Sequence, residues 1–406
     1  MNSSIIVVAY DRPASLTRLL MSLKKAVYKN FEQVRLIISI DGGGSESVKT
    51  IAEEFVWDYG AKRVIHHPQN LGLRKHILSC GDLSKEYGNV IIIEDDCVVS
   101  PQFYSFSEQA LKFYSSDQNI AGISLYSYKV NEYTFLPFQP LADSSDVYYM
   151  QIPSSWGQVW TKKQWQQFKN FYSQNPSITE QDQLPDQVKD WSESSWKKYF
   201  YKYIVVKNLF IVFPKHSFTT NFADAGAHFV EGSTFFQVPL FQTSGNANFN
   251  FITFEESWNK YDAYFEILPE ALTKLGVVSD ENFGVDLYST KQLHLFEYSY
   301  IYSLRKSTNP IKTFGITMFP LIQNIISDEP GNILSYGKKE SFDEVETENY
   351  WQIRKVQQPF GFMSGERYGA RKVMNTWSYK IGNVILHPHL YFLKLFQKIK
   401  MRLIHS

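Results

Sequence analysis

The run Val90-Ile91-Ile92-Ile93 leads directly into Glu94-Asp95-Asp96. Four β-favouring apolar residues in a row read as a strand buried on both faces, the pattern of a parallel sheet. Three consecutive carboxylates cannot follow that strand into the core, because burying an unpaired carboxylate is prohibitively costly. They are therefore expected where the strand leaves the sheet, next to something cationic. A divalent metal holding an anionic ligand is the simplest partner. The plain alternative is a solvated turn after a core strand.

The flanking sequence repeats the pattern. Apolar runs at 5–9, 34–40 and 63–66 end in Tyr10-Asp11-Arg12-Pro13, Asp41-Gly42-Gly43-Gly44 and His67-Pro68-Gln69-Asn70. Ser15 opens a helix with Leu16, Leu19, Leu20 and Leu23 at helical spacing. Further helices are predicted over 45–59, over 71–87 with Gly72 and Gly81 as interruptions, and over 102–114, before a strand at 120–125. This alternation of strand, polar loop and helix means βαβ units and a doubly wound parallel sheet. Ligands bind such sheets outside the carboxyl ends of the strands. Asp11-Arg12, Asp41, residues 70–74 and Glu94-Asp95-Asp96 all fall at such ends, which favours a shared ligand edge over a solvated turn. The glycines at 42–44 suit either close approach to a ligand or a flexible turn. Neither a Gly-x-Gly-x-x-Gly fingerprint nor a phosphate-loop motif is present.

From Tyr126 the alternation stops. Helices are predicted over 161–172 and 196–207, a polar mobile loop over 174–187, a strand over 210–213, and then a loop through Asn221, Asp224, Gly226 and His228. Beyond 254 the periodicity weakens; 298–316 has strand character and 335–348 is acidic and turn-rich. Residues 386–404 interleave apolar and basic side chains, which suits an anionic membrane surface or a helix docked on its own protein. A chain of 406 residues has room for two or three domains. With 44% hydrophobic and 20% charged residues it can build a core, and zero net charge argues against nucleic acid as a partner. Two cysteines, Cys80 and Cys97, suit a reducing compartment. The apolar run at 5–9 is too short for a signal peptide, and nothing approaches a spanning helix of roughly 20 apolar residues. The expectation is a cytoplasmic protein, or one peripheral on the inner face of the cell membrane.

Four motifs in this order resemble a known family: 7–12 (Val-Val-Ala-Tyr-Asp-Arg), 38–42 (Ile-Ser-Ile-Asp-Gly), 91–96 (Ile-Ile-Ile-Glu-Asp-Asp) and 101–104 (Pro-Gln-Phe-Tyr). Their order and spacing are similar to those of GT-A fold glycosyltransferases, of the N-acetylglucosaminyltransferase I type and the bacterial family 2-like enzymes. The resemblance implies an α/β fold, Rossmann-like, with a mostly parallel sheet flanked by helices. The transferase domain would span 1–255, with a nucleotide-sugar half at 1–125 and an acceptor half at 126–255. A C-terminal extension at 256–370 and a basic tail at 371–406 would follow. The implied activity is a metal-dependent, inverting transfer from a UDP-sugar to a glycan or lipid-linked acceptor, in bacterial surface polysaccharide synthesis. Mn²⁺ or Mg²⁺ would bridge the donor diphosphate, as hard cations suit carboxylate oxygens. On this resemblance Asp96 meets the metal, and Asp95 and Glu94 contact ribose and donor sugar. Asp41 reads the uracil, and Arg12, Arg74 and His76 lie near the nucleotide. His228 resembles a histidine near the pyrophosphate and joins Asp96 on the metal side. Trp156-Gly157 resembles an acceptor-side segment whose aromatic ring stacks on a sugar.

The chain departs from the family at the catalytic base. An inverting transferase needs a carboxylate to take the acceptor proton, and the family carries it just after a tryptophan upstream of a strand and a proline. Counting back from Pro214 reaches Trp196, which Lys197 and Lys198 follow. The nearest acids, Asp190 and Glu193, are the candidate catalytic residues, Asp190-Trp191 imitating the family's pair if a gap is allowed. The two lysines also motivate a rival reading, a catalytically inactive nucleotide-sugar-binding scaffold of a polysaccharide assembly complex. A nucleotidyltransferase is disfavoured, since Tyr10-Asp11-Arg12-Pro13 is not a glycine-rich basic loop.

Overall fold

The strands β1 (Ser4–Ala9), β2 (Leu36–Ile40), β3 (Lys62–His66) and β4 (Val90–Glu94) lie side by side in the order β3-β2-β1-β4, all parallel. In this computed structural model the described residues are 2–222, 224, 233–243, 245, 247–277, 282–344, 348–358, 373–374 and 376. Contacts divide the chain into two units, 1–349 and 350–406.

The sheet extends beyond β4 through further strands: β6 (Ile120–Ser124), β7 (Val147–Met150), β8 (Gln158–Trp160), β9 (Phe210–Pro214) and β11 (Lys260–Tyr261). Among the described residues its full order is β11-β7-β9-β6-β8-β4-β1-β2-β3. β8 is antiparallel to both β4 and β6, and β7 is antiparallel to β9. The sheet is thus mostly parallel and helix-flanked, as the sequence predicts, with antiparallel insertions where the sequence alternation stops. A small ribbon pairs β5 (Cys97–Val99) with β10 (Thr219–Asn221).

Helix positions match the sequence reading, with ends that differ by up to five residues in either direction. They include Pro13–Lys24, Glu46–Glu54, Gly72–Asp82, Phe103–Tyr114, Lys162–Gln174 and Trp196–Val206. The helix predicted over 71–87 breaks at Leu83 into Gly72–Asp82 and Ser84–Tyr87. Its two glycines have separate reasons. Gly72 starts the helix at φ +72°, a left-handed conformation that glycine adopts without penalty. A Cβ on Gly81 would fall 2.0 Å from the Trp165 ring, so only glycine lets the two helices close.

Ile5, Ile37, Ile91, Ile92 and Ile93 are wholly buried, each contributing about 1.5–3 kcal/mol. In the second half of the first unit, β12 (Phe283–Asp286), β13 (Tyr300–Ser303), β14 (Lys312–Phe314) and β15 (Leu334–Lys338) form a separate sheet in the order β12-β13-β15-β14. β15 falls where the sequence suggests acidic turns. Antiparallel pairing on both sides and stacking of Tyr336 on Tyr302, 4.4 Å between centroids, hold it extended. No described helix is long and apolar enough to cross a membrane. The amphipathic stretch 386–404 lies outside the described residues.

Candidate functional site

Register brings the strand ends together. Val8 on β1 is opposite Ser39 on β2 and Glu94 on β4, and Ile40 is opposite His66 on β3. The residues that follow therefore leave the sheet along one edge, and Arg12, Asp41, Glu94, Asp95 and Asp96 meet there.

Arg12 reaches Asp95 at 3.1 Å and Asp96 at 3.2 Å. Asp95 is buried and also accepts from the Tyr10 amide at 3.4 Å. Asp96 is partly open to solvent, and its backbone carbonyl accepts from the Phe222 amide at 2.7 Å, which ties the β10 loop to the acidic motif. Glu94 Oε1 is buried without a hydrogen-bond partner. Burial, and then its Asp96 and Asp95 neighbours, push the Glu94 carboxyl up to about 8. Burial likewise lifts Asp95 to about 6, against the pull of Arg12. On Arg12 burial works against the charge, and the neighbouring carboxylates outweigh it and raise its pKa. One guanidinium does not satisfy three acids, so the edge is short of positive charge.

Those features fit a divalent cation: a partly open carboxylate on Asp96, an orphaned oxygen on Glu94, and hard oxygen donors throughout. Among the described residues no group of three His, Cys, Asp or Glu side chains is arranged to hold an ion. His228 lies outside the described residues.

Asp41 has a different environment. Its carboxylate is buried and accepts from the amides of Gly42 (2.9 Å), Leu71 (2.8 Å) and Gly72 (3.0 Å). It anchors the start of the helix Gly72–Asp82, where negative charge is favoured. A Cβ on Gly42 would fall 2.3 Å from the Gln69 carbonyl carbon, and one on Gly44 would fall 2.0 Å from Tyr10 O. The open question of those glycines resolves toward backbone packing between neighbouring strand ends. His76 is buried, with Nε2 at 2.8 Å from Ser39 Oγ, and His67 Nε2 approaches the same hydroxyl at 3.1 Å. Burial pushes His76 down to about 4, so its ring is neutral at physiological pH. It supports the edge from behind.

Arg74 connects the helix Gly72–Asp82 to the helix Trp196–Val206. It donates to Tyr199 Oη at 2.8 Å, and its guanidinium sits 5.1 Å from that ring's centroid. The Tyr199 hydroxyl in turn donates to Glu193, whose other oxygen accepts from Lys198 at 2.9 Å. Hydrogen bonds from Tyr199 and Lys198 hold the Glu193 carboxyl below its usual range. That makes Glu193 a weak base. Asp190 is exposed, its amide closing the short helix Asp186–Lys189. Among the described residues its carboxylate engages no side chain.

Sequence reasoning missed Glu132. It pairs with Lys197 at 3.3 Å, both side chains being 13% exposed, and Lys197 stands 5.1 Å from the Trp191 ring. Lys197 also acts electrostatically on Glu94. Glu132 lies in a stretch without periodicity, and no local pattern singles it out. Trp156 is half-buried against Tyr126, 4.7 Å between centroids.

Residues 4–174 match the family model described as glycosyl transferase family 2. No curated protein matched the chain. Among solved structures, TarS 1–349 from S. aureus is similar over 54% of this chain and 60% of its own, at 14% identity and TM-score 0.36. GalNAc-T7 with UDP, GalNAc and Mn²⁺ is similar over 53% of this chain and 43% of its own, at 13% identity and TM-score 0.38. The mannosyltransferase PcManGT from Pyrobaculum calidifontis, with GDP-Man and Mn²⁺, is similar over 42% of this chain and 46% of its own, at 10% identity and TM-score 0.30. The chain thus spans less than two thirds of each of these proteins.

Proposed function

We propose that the chain is a family 2 glycosyl transferase, whose family model its residues 4–174 match, and that it transfers a sugar from a UDP-sugar to a glycan or lipid-linked acceptor, with inversion. The observation that carries this reading is the meeting of Arg12 with Asp95 and Asp96 at the ends of β1 and β4, beside the orphaned Glu94 oxygen. Asp96 would hold Mn²⁺ or Mg²⁺ there, and Asp95 and Glu94 would accept hydrogen bonds from donor hydroxyls. A cation held by Asp96 would supply Lewis-acid stabilisation of the leaving group. Asp41 sets the position of the segment Leu71-Gly72 and so of the nucleotide side of the edge. Arg74, extended by Tyr199, supplies positive charge at the seam between donor and acceptor halves. Asp190 is the carboxylate left available to take the acceptor proton. Bacterial surface polysaccharide synthesis is the setting the family resemblance suggests.

A thermal-shift panel of UDP-sugars with Mn²⁺, repeated with EDTA, tests the reading, because a ligand of the folded state stabilises in proportion to its saturation. One UDP-sugar is expected to raise Tm with Mn²⁺ and not with EDTA. No response from any donor would sink it. The scaffold reading keeps one observation in its favour, the engagement of Glu193 by Lys198 and Tyr199. Release of UDP that depends on an added acceptor would exclude it.

A further inference from the structure

Asn221, the last residue of β10, carries an amide oxygen that is buried and accepts no hydrogen bond among the described residues. Such an acceptor is costly to keep, and native folds hold few of them. A second one, Glu94 Oε1, stands at the end of β4. The fold brings both toward one corner, around Asp96.

β10 is antiparallel to β5 with Asn221 opposite Cys97, and the next amide, that of Phe222, donates to Asp96 O at 2.7 Å. That bond lies outside the pair, so Asn221 and Cys97 form a non-hydrogen-bonded pair. Side chains of such a pair leave the ribbon on one face and stand closest together. Cys97 Sγ in turn lies 3.7 Å from Asp96 Oδ1. The Asn221 side chain therefore neighbours the residue whose thiol touches the Asp96 carboxylate. The same ribbon face is tied to the Glu94 side of the corner. Thr219, two residues back, donates its hydroxyl to the Trp156 carbonyl. Trp156 and Gly157 lead into β8, which is antiparallel to β4 with Gln158 opposite Ile92, so they run toward Ile93 and Glu94. Asp96 itself has one oxygen to offer. Its Oδ2 faces Arg12 at 3.2 Å, whereas Oδ1 meets, among the described residues, only the weak thiol donor.

Resting on the metal-dependent transferase reading, we propose that Asn221 supplies a neutral oxygen to the divalent cation held by Asp96. An amide carbonyl is an ordinary ligand of hard cations. It suits this corner because three carboxylates already share one guanidinium there, and a fourth would add repulsion, whereas an amide adds a ligand without charge. The donor set is then part carboxylate and part amide, which agrees with the finding that no three His, Cys, Asp or Glu side chains gather to hold an ion among the described residues. It also gives the buried Asn221 oxygen its partner.

The test uses the full chain, with Mn²⁺ binding read from the electron paramagnetic resonance signal of the free ion, and with melting temperature followed in Mn²⁺ and in EDTA. Asn221→Leu keeps the branched shape and removes both polar atoms. In EDTA this variant is expected to melt no lower than the parent, because the buried oxygen without a partner is gone. Its Mn²⁺ affinity is expected to fall about tenfold or more, with most of the Mn²⁺-induced rise in melting temperature lost. UDP binding in EDTA should be the same in both proteins. Asn221→Ala, which folds more easily at the end of a strand, should lose Mn²⁺ affinity to a similar extent. Parent-like Mn²⁺ affinity in either folded variant would overturn the proposal and leave the Asn221 oxygen to an ordinary water. A leucine variant that melts well below the parent in EDTA would also overturn it, by showing that the amide is held by the protein itself. UDP-sugar binding by the parent with no gain from Mn²⁺ sinks this inference and leaves a transferase. Mn²⁺ binding that both variants lose, without any UDP-sugar response, keeps Asn221 on the ion and sinks the transferase reading.

Discussion

The Arg12 guanidinium lies 3.1 Å from Asp95 and 3.2 Å from Asp96, so one cation from the end of β1 serves two carboxylates from the end of β4. Arg12 is partly open to solvent, which limits what the pair contributes to stability. Asp95 is nearly enclosed, and losing its partner leaves a poorly compensated charge. Replacement of Arg12 with Gln should lower stability by about 1–2 kcal/mol in EDTA. Added Mn²⁺ should raise the melting temperature of this variant more than that of the parent. Equal Mn²⁺ responses would mean that the cation does not share this charge cluster.

Asp41 should behave as a structural anchor as well as a site residue. Its carboxylate gathers the amides of Gly42, Leu71 and Gly72, and loss of such a cap costs about 1–2 kcal/mol. Urea unfolding of Asp41→Ala is expected to show that loss with an unchanged slope. A variant as stable as the parent would show that the helix start has other support.

His76 gives a pH dependence whose sign is fixed. Its folded pKa is pushed down to about 4 from an ordinary 6.5, so above pH 6.5 the ring is neutral in both states and takes nothing from stability. As pH falls from 6.5 toward 4 the unfolded chain binds a proton that the folded one refuses, and stability declines by up to about 3 kcal/mol. His76→Gln should flatten that window in urea-midpoint measurements. An identical decline in the variant would assign it to other groups.

The candidate bases are separable by kinetics. Glu193 is held by Lys198 and Tyr199, whereas Asp190 is exposed. Asp190→Asn is expected to reduce kcat by about 10²-fold or more with little change in donor KM, as loss of a general base does. Glu193→Gln should cost less than about tenfold. The reverse order would make Glu193 the base.

The edge where Arg12, Asp41 and the three acids meet was legible because its signals are local. An apolar run of Val90 to Ile93 stopped by three acids can only be a buried strand leaving a sheet, and β1 and β2 repeat the motif with Arg12 and Asp41. The region beyond Tyr126 was not legible for a physical reason. Glu132 meets Lys197 across 65 positions of sequence, and Phe135 meets Phe235 across a longer span, so neither pair leaves a periodic trace. The lysines after Trp196 looked like a missing acid. In the fold each has a carboxylate partner, Glu132 for Lys197 and Glu193 for Lys198. The glycines at 42 and 44 were ambiguous because sequence does not reveal that Gln69 and Tyr10 backbones press against them.

The central claim is that Asp96 connects donor binding to a divalent cation. The direct measurement is UDP-sugar binding by the parent and by Asp96→Asn, each titrated with Mn²⁺ and with EDTA. The account predicts donor affinity in the parent that falls by about tenfold or more in EDTA, and an affinity in the variant that is low and the same in both conditions. A variant that binds UDP-sugar as tightly as the parent, with the same gain from Mn²⁺, would contradict it.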